Sequence, residues 1–133
     1  MDLSNIFRDS KRAGKNLSFI NDIIISEVLV KLADDLILKK DYLLKENKKD
    51  LKLMDPKDPK YDRLKLTDKR LEDIASDLKN VSTLPSPLGK ILSQTVRPNG
   101  MLLTKKSVAF GTIGIIFESR PNVCFDVFSL CFK

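Results

Sequence analysis

Apolar positions recur with a helical period through roughly the first two thirds of the chain. From Phe19 to Lys40, just after Ser18, the residues Ile20, Ile24, Val28, Leu32 and Leu36 form an i, i+4 ladder. Ile23, Ile25 and Leu29 widen it, while Asp22, Glu27, Lys31, Asp34 and Asp35 lie elsewhere around the cylinder. This pattern predicts a mostly buried helix. A shorter helical segment over residues 3–16 precedes it. Tyr42 to Leu53 continues it until Asp55-Pro56-Lys57-Asp58-Pro59, where proline disfavours helix both at itself and at the residue before it. Thr67 is predicted to cap a further helix with its hydroxyl, with Asp68 favourably placed in the first turn. Leu71, Ile74, Ala75, Leu78 and Val81 give that helix one clean apolar face, and Leu84-Pro85-Ser86-Pro87 ends it in a stiff extended connection.

The period changes after residue 94. Gln94 to Arg97, the turn Pro98-Asn99-Gly100, and Met101 to Lys105 predict a hairpin, because Asn-Gly readily supplies the positive φ angles of tight turns. Gly111 to Phe117 is almost continuously apolar, the mark of a strand buried on both faces and normally found in parallel sheets covered by helices. Glu118-Ser119-Arg120-Pro121-Asn122 follows as a polar loop, and Val123 to Phe132 as an apolar helix. The second parallel strand of a βαβ unit is missing, since the sequence stops at Lys133. The expected architecture is therefore α+β: a helical segment over residues 1–92, then a hairpin, one buried strand and a terminal helix over residues 93–133.

Composition narrows the chemistry. At 133 residues, 42% hydrophobic and 32% charged, the chain is read as one modest domain able to bury a real core. It contains no histidine, which removes imidazole acid-base catalysis, Ser-His and Cys-His nucleophiles and His-ligated zinc. The net charge of +6 divides as +3 in residues 1–66 and +3 in residues 67–133, with the signs closely interspersed. Such a pattern describes solvated helix faces more than a phosphate-tracking stripe, so no nucleic-acid partner is expected. No apolar run approaches a membrane span, and the start does not read as a signal peptide, so a cytoplasmic location without membrane contact is expected. Cys124 and Cys131 lie seven residues apart on one helix face, too far for a mutual disulfide, and are expected to be buried, reduced thiols.

The candidate site is the loop after the apolar run. In open α/β sheets ligands gather beyond the carboxyl ends of strands, near helix N-termini. Ser119 offers a hydroxyl, Arg120 a donor fork of fixed charge and Asn122 an amide, a set able to hold an anionic group. The competing reading is a structural loop in which Asn122 caps the helix. Gly111 and Gly114 do not form a dinucleotide fingerprint, because they begin the apolar run instead of following it.

The same residues carry a family resemblance. Gly111 to Val123, with Asp126 and Leu130-Cys131-Phe132-Lys133, resembles the signature region of glutamate-5-semialdehyde dehydrogenase, also called γ-glutamyl phosphate reductase. Asp62-Arg63-Leu64-Lys65-Leu66-Thr67, Leu84 to Gly89 and Arg97 to Gly100 resemble that family in the same order. The resemblance implies an α/β, aldehyde dehydrogenase-like Rossmann domain, of which residues 1–133 would be a partial N-terminal, NADPH-binding piece. It further implies an enzyme of proline biosynthesis that reduces L-glutamate 5-phosphate with NADPH. In that chemistry a cysteine thiolate displaces phosphate and hydride then reduces the thioester.

Ser119, Arg120 and Asn122 would line the cofactor or substrate region, with Asn122 a candidate for the oxyanion or nicotinamide side. The family chain is considerably longer, and its nucleophilic cysteine lies in a downstream domain. Cys131 matches a different family cysteine, and Cys124 stands where another small residue is usual. The chain alone is therefore expected to be inactive, with no catalytic residue and no metal site of its own. A homo-oligomer, with a possible domain swap, is expected because an uncovered strand edge tends to pair. The alternative function is a non-catalytic interaction module that pairs with a partner chain.

Overall fold

A computed structural model describes residues 3–17, 19–118 and 120–133. Its elements are, in order, α1 (Ser4–Leu17), α2 (Asp22–Leu38), α3 (Lys40–Leu51), α4 (Tyr61–Leu64), α5 (Asp68–Ser82), β1 (Ile91–Val96), β2 (Leu102–Lys106) and α6 (Pro121–Phe132). The class is α+β, as expected. The chain divides into two compact units, each drawn from two stretches of sequence: residues 1–21 with 85–114, and residues 22–84 with 115–133.

The second unit holds the core. α2 packs on α5, and α5 packs on α6. Ile25, Leu29, Ala33 and Leu36 of α2 meet Leu71, Ile74, Ala75 and Leu78 of α5 in its interior. Burying a leucine as fully as Leu29, Leu71 or Leu78 contributes about 2 kcal/mol each. The buried stripe of α5 is the predicted one except at its end, where Ser82 is buried and Val81 is half-buried. The stripe of α2 is turned by about one residue from the predicted ladder, leaving Ile24 and Val28 exposed. α2 is apolar nearly all round, so several stripes compete and only packing against α5 selects one. The helix also begins later than expected, at Asp22, and Ser18 lies outside the described residues.

Thr67 caps α5 in the predicted way, its hydroxyl oxygen accepting from the Arg70 N–H at 3.1 Å. Asp68 in the first turn meets Lys40 Nζ at 2.9 Å. That hydrogen bond and charge hold the Asp68 carboxyl below the usual carboxylate range and raise the Lys40 ammonium above its ordinary value. α6 starts at Pro121, two residues before the expected Val123, because proline's fixed φ and missing N–H suit a first helical position. The rings of Phe128 and Phe132 stack at 5.0 Å within it.

Two expectations for this end of the chain are corrected. Residues 107–118 form no strand, and Ile113, Ile115, Ile116 and Phe117 are exposed instead of buried. An apolar run becomes a strand only by pairing with a neighbour, and among the described residues the sheet consists of β1 and β2 alone. Cys124 and Cys131 are free as predicted but exposed, because α6 is apolar around its circumference and only part of that surface packs.

In the first unit, β1 and β2 pair antiparallel from Val96↔Leu102 to Ile91↔Lys106, with a register shift between Ile91 and Ser93. β1 runs longer than predicted and begins earlier, β2 keeps its predicted length shifted by one residue, and none of their residues is buried. The turn differs in kind from the one expected. Positive φ occurs at Gly100 (+82°) and at no non-glycine among the described residues, so Asn99 stays right-handed. Its side-chain oxygen accepts from the Met101 N–H at 3.1 Å, while the Gly100 N–H donates to the Arg97 carbonyl at 2.9 Å. This is the wider hairpin loop that carries one left-handed glycine after an ordinary turn.

Candidate functional site

Two of the predicted site residues, Arg120 and Asn122, sit at the start of α6. Ser119 lies outside the described residues. Arg120 is the residue before the first turn, in extended conformation, and it caps the helix with no side-chain hydrogen bond. Asn122 is inside the first turn and does not act as the cap. Its amide donates to Asp126 Oδ2 at 3.2 Å, one turn further on.

Arg120 and Asn122 line the same cleft, of about 360 Å³, whose other wall is the stretch from Asp62 to Leu66 and the exposed edge of α5. The charges around it are mixed, with Arg63, Lys65, Arg70 and Arg120 set against Asp62, Asp73, Asp77 and Asp126. Among these eight, Arg70 and Asp62 are committed to each other. Arg70 Nη2 donates to Asp62 Oδ2 at 2.8 Å, and its Nη1 donates to the Lys65 carbonyl at 2.6 Å and to the Asp62 carbonyl. Arg120 Nε, by contrast, is buried and has no hydrogen-bond partner among the described residues. Its nearest anion, Glu118 Oε2, is 3.7 Å away, too far for a hydrogen bond. A buried cationic N–H without an acceptor suits an incoming anionic oxygen.

Glu118 is itself shared. Lys60 Nζ lies 3.5 Å from Oε1, and Arg63 Nη1 lies 3.3 Å from Oε2. Burial works to raise the Glu118 carboxyl, but the hydrogen bonds and charges of Arg63 and Lys60 outweigh it and hold the group below the usual carboxylate range. Sequence reasoning missed Lys60 and Arg63 as neighbours of the loop. Their i, i+3 spacing was the available signal, since it puts both on one side of a single helical turn.

A second polar cluster lies in the helical unit. Lys133, its side chain only 5% exposed, donates from Nζ to Asp22 Oδ1 at 2.7 Å and to Ser26 Oγ at 2.8 Å. Ser26 in turn donates to the Ser82 carbonyl at 2.8 Å. Every member has a partner, so the cluster ties helix ends together and presents no free group for chemistry. Among the described residues no group of His, Cys, Asp and Glu could hold a metal ion, and no helix is long and apolar enough to cross a membrane. Neither cysteine lines the cleft.

Fold and site together define an α+β segment whose cleft, among the described residues, holds one buried donor without a partner and is lined by no cysteine. No family model matches the chain. Individual proteins do. A gamma-glutamyl phosphate reductase of Bacteroides fragilis is 55% identical over 133 residues, the whole of this chain and 32% of that protein. Its counterpart in Chlorobium limicola is 47% identical over 131 residues, 98% of this chain and 31% of the relative. The crystal structure of gamma-glutamyl phosphate reductase from Thermotoga maritima superposes with a TM-score of 0.87 at 28% identity, covering 94% of this chain and 31% of that one. The chain is similar to these gamma-glutamyl phosphate reductases over 94% to 100% of its length, and it spans about a third of theirs.

Proposed function

We propose that the chain forms part of the NADPH-binding region of a γ-glutamyl phosphate reductase, which reduces L-glutamate 5-phosphate to L-glutamate 5-semialdehyde and phosphate in proline biosynthesis. The observation that carries this reading is 55% identity with such a reductase across all 133 residues. In this reading the nucleophilic cysteine is supplied from outside these residues, and Cys124 and Cys131 take no part. The apolar run 113–117 becomes a strand of a Rossmann-like sheet once neighbouring strands are present, and its uncovered apolar positions favour a homo-oligomer. The setting is cytoplasmic, in keeping with two free cysteines.

The donor set fits an anionic cofactor or substrate group, because Arg120 Nε is buried and, among the described residues, without an acceptor. NADPH, when bound, supplies the hydride. Arg120 would hold a phosphate or carboxylate oxygen, Ser119 would add a hydroxyl donor, and Asn122 would orient a carbonyl oxygen once its amide turns from Asp126.

The test replaces the matching third of the Bacteroides fragilis enzyme with this chain and follows NADPH oxidation with glutamate 5-phosphate. Turnover is expected, and Arg120→Ala should lower kcat/KM about tenfold or more, a loss of ~1.4 kcal/mol or more. A folded chimera without turnover overturns the reading. The 133-residue chain alone should oxidise no NADPH, and measurable turnover would overturn the assignment of the nucleophile elsewhere.

A further inference from the structure

α4 is a single turn, too short to hold itself, yet it is fixed from both sides. From α3, Asn47 Nδ2 donates to the Leu64 carbonyl at 2.9 Å, and Asn47 Oδ1 accepts from the Leu66 N–H at 2.8 Å. From α5, Arg70 reaches Asp62 and Lys65. Asn47 is buried, so neither of its bonds has water as a ready substitute. Held in this way, α4 presents Lys60 and Arg63 in a fixed position, and Asp62, occupied by Arg70, does not compete for them.

Both cations are spent on Glu118, whose Oε2 also faces Arg120 Nε. Exposed ion pairs contribute little stability each, so stability alone explains little of this convergence. It does fix a carboxylate beside the cleft's one unpartnered buried donor among the described residues. We propose that Glu118 is a positioning residue: anchored by Lys60 and Arg63, it aims the Arg120 guanidinium into the cleft. Its functional consequence rests on the reading above, in which Arg120 holds an anionic oxygen.

The direct test is NMR of the 133-residue chain labelled with ¹⁵N-arginine. Wild-type chain should show a slowly exchanging Arg120 Nε–H signal, and Glu118→Gln should lose it while the Leu71 and Leu78 methyl signals stay in place. An unchanged Arg120 signal in the folded variant overturns the proposal. Should Glu118→Gln disturb the core signals, the double variant Lys60→Met/Arg63→Met decides instead, since both residues are exposed. It should lose the same signal, and its persistence overturns the proposal. In the chimeric reductase, Glu118→Gln should raise KM for glutamate 5-phosphate more than it lowers kcat, and Glu118→Asp should recover part of the loss. An unchanged KM overturns the positioning role. A chimera already inactive with the native segment fails the proposed function, and the NMR result then judges this inference by itself.

Discussion

The helical unit and the hairpin are stabilised in different ways. In the first, α2 and α5 each bury a four-residue apolar stripe, and α6 packs on α5. In the second, an antiparallel ladder with one register shift carries no buried side chain at all. Ladder bonds alone leave a two-stranded hairpin marginal in water, whereas a packed stripe stabilises in proportion to the area it removes from water. Regular secondary structure and stability are therefore separable along this one chain.

The comparison breaks most easily at Leu71, which is 0% exposed. Leu71→Ala should cost about 3 kcal/mol, while Leu103→Ala on β2 should cost less than about 0.5 kcal/mol. Urea unfolding followed by far-UV circular dichroism reads both, and equal costs would erase the distinction. Gly100→Ala comes next. A Cβ there meets nothing within 4 Å, but φ of +82° strains any L-residue by about 1–2 kcal/mol. The penalty should appear as faster exchange of the Arg97 amide, which donates to the Met101 carbonyl, without shifting the urea midpoint of the helices. Thr67→Ala removes the cap of α5 and should cost about 1 kcal/mol of helical-unit stability, with Thr67→Ser restoring most of it.

The smallest effect is a pH dependence at Glu118, whose carboxyl is held low in the folded chain by Arg63 and Lys60, with Arg120 facing it. Because the folded pKa lies below the unfolded one, the contribution is present above the ordinary carboxylate pKa and disappears as pH falls through the depressed value. A carbon-detected NMR titration of Glu118 should show its midpoint below that of an unpaired glutamate. A midpoint at or above the ordinary value would remove the clamp.

How far the sequence revealed each region follows the same division. α5 could be read almost residue by residue, because a single apolar stripe and a Thr-Asp start leave one solution. α2 could be read as a helix but not as a face, since nearly every side of it is apolar. The run Gly111 to Phe117 was misread as a buried strand because hydrophobicity records what a segment needs and says nothing of whether a partner lies within reach. For the site, Arg120 and Asn122 were visible as donors, and the structure sets both on one cleft. The bracing of α4 by Asn47 was not legible: a bond spanning 17 to 19 residues between one side chain and the backbone leaves no periodic trace.

The discontinuous build of the helical unit has a consequence for the order of events during synthesis. α2 and α5 can associate once residue 84 has emerged from the ribosome, but α6 emerges only after all of 85–114 has followed it. Until then the α5 surface that will receive α6 is open while the nascent chain lengthens past it. A ribosome-bound intermediate of α2 to α5 should accordingly be more vulnerable to protease than the finished unit, and slowing translation while 85–114 emerges would prolong that window.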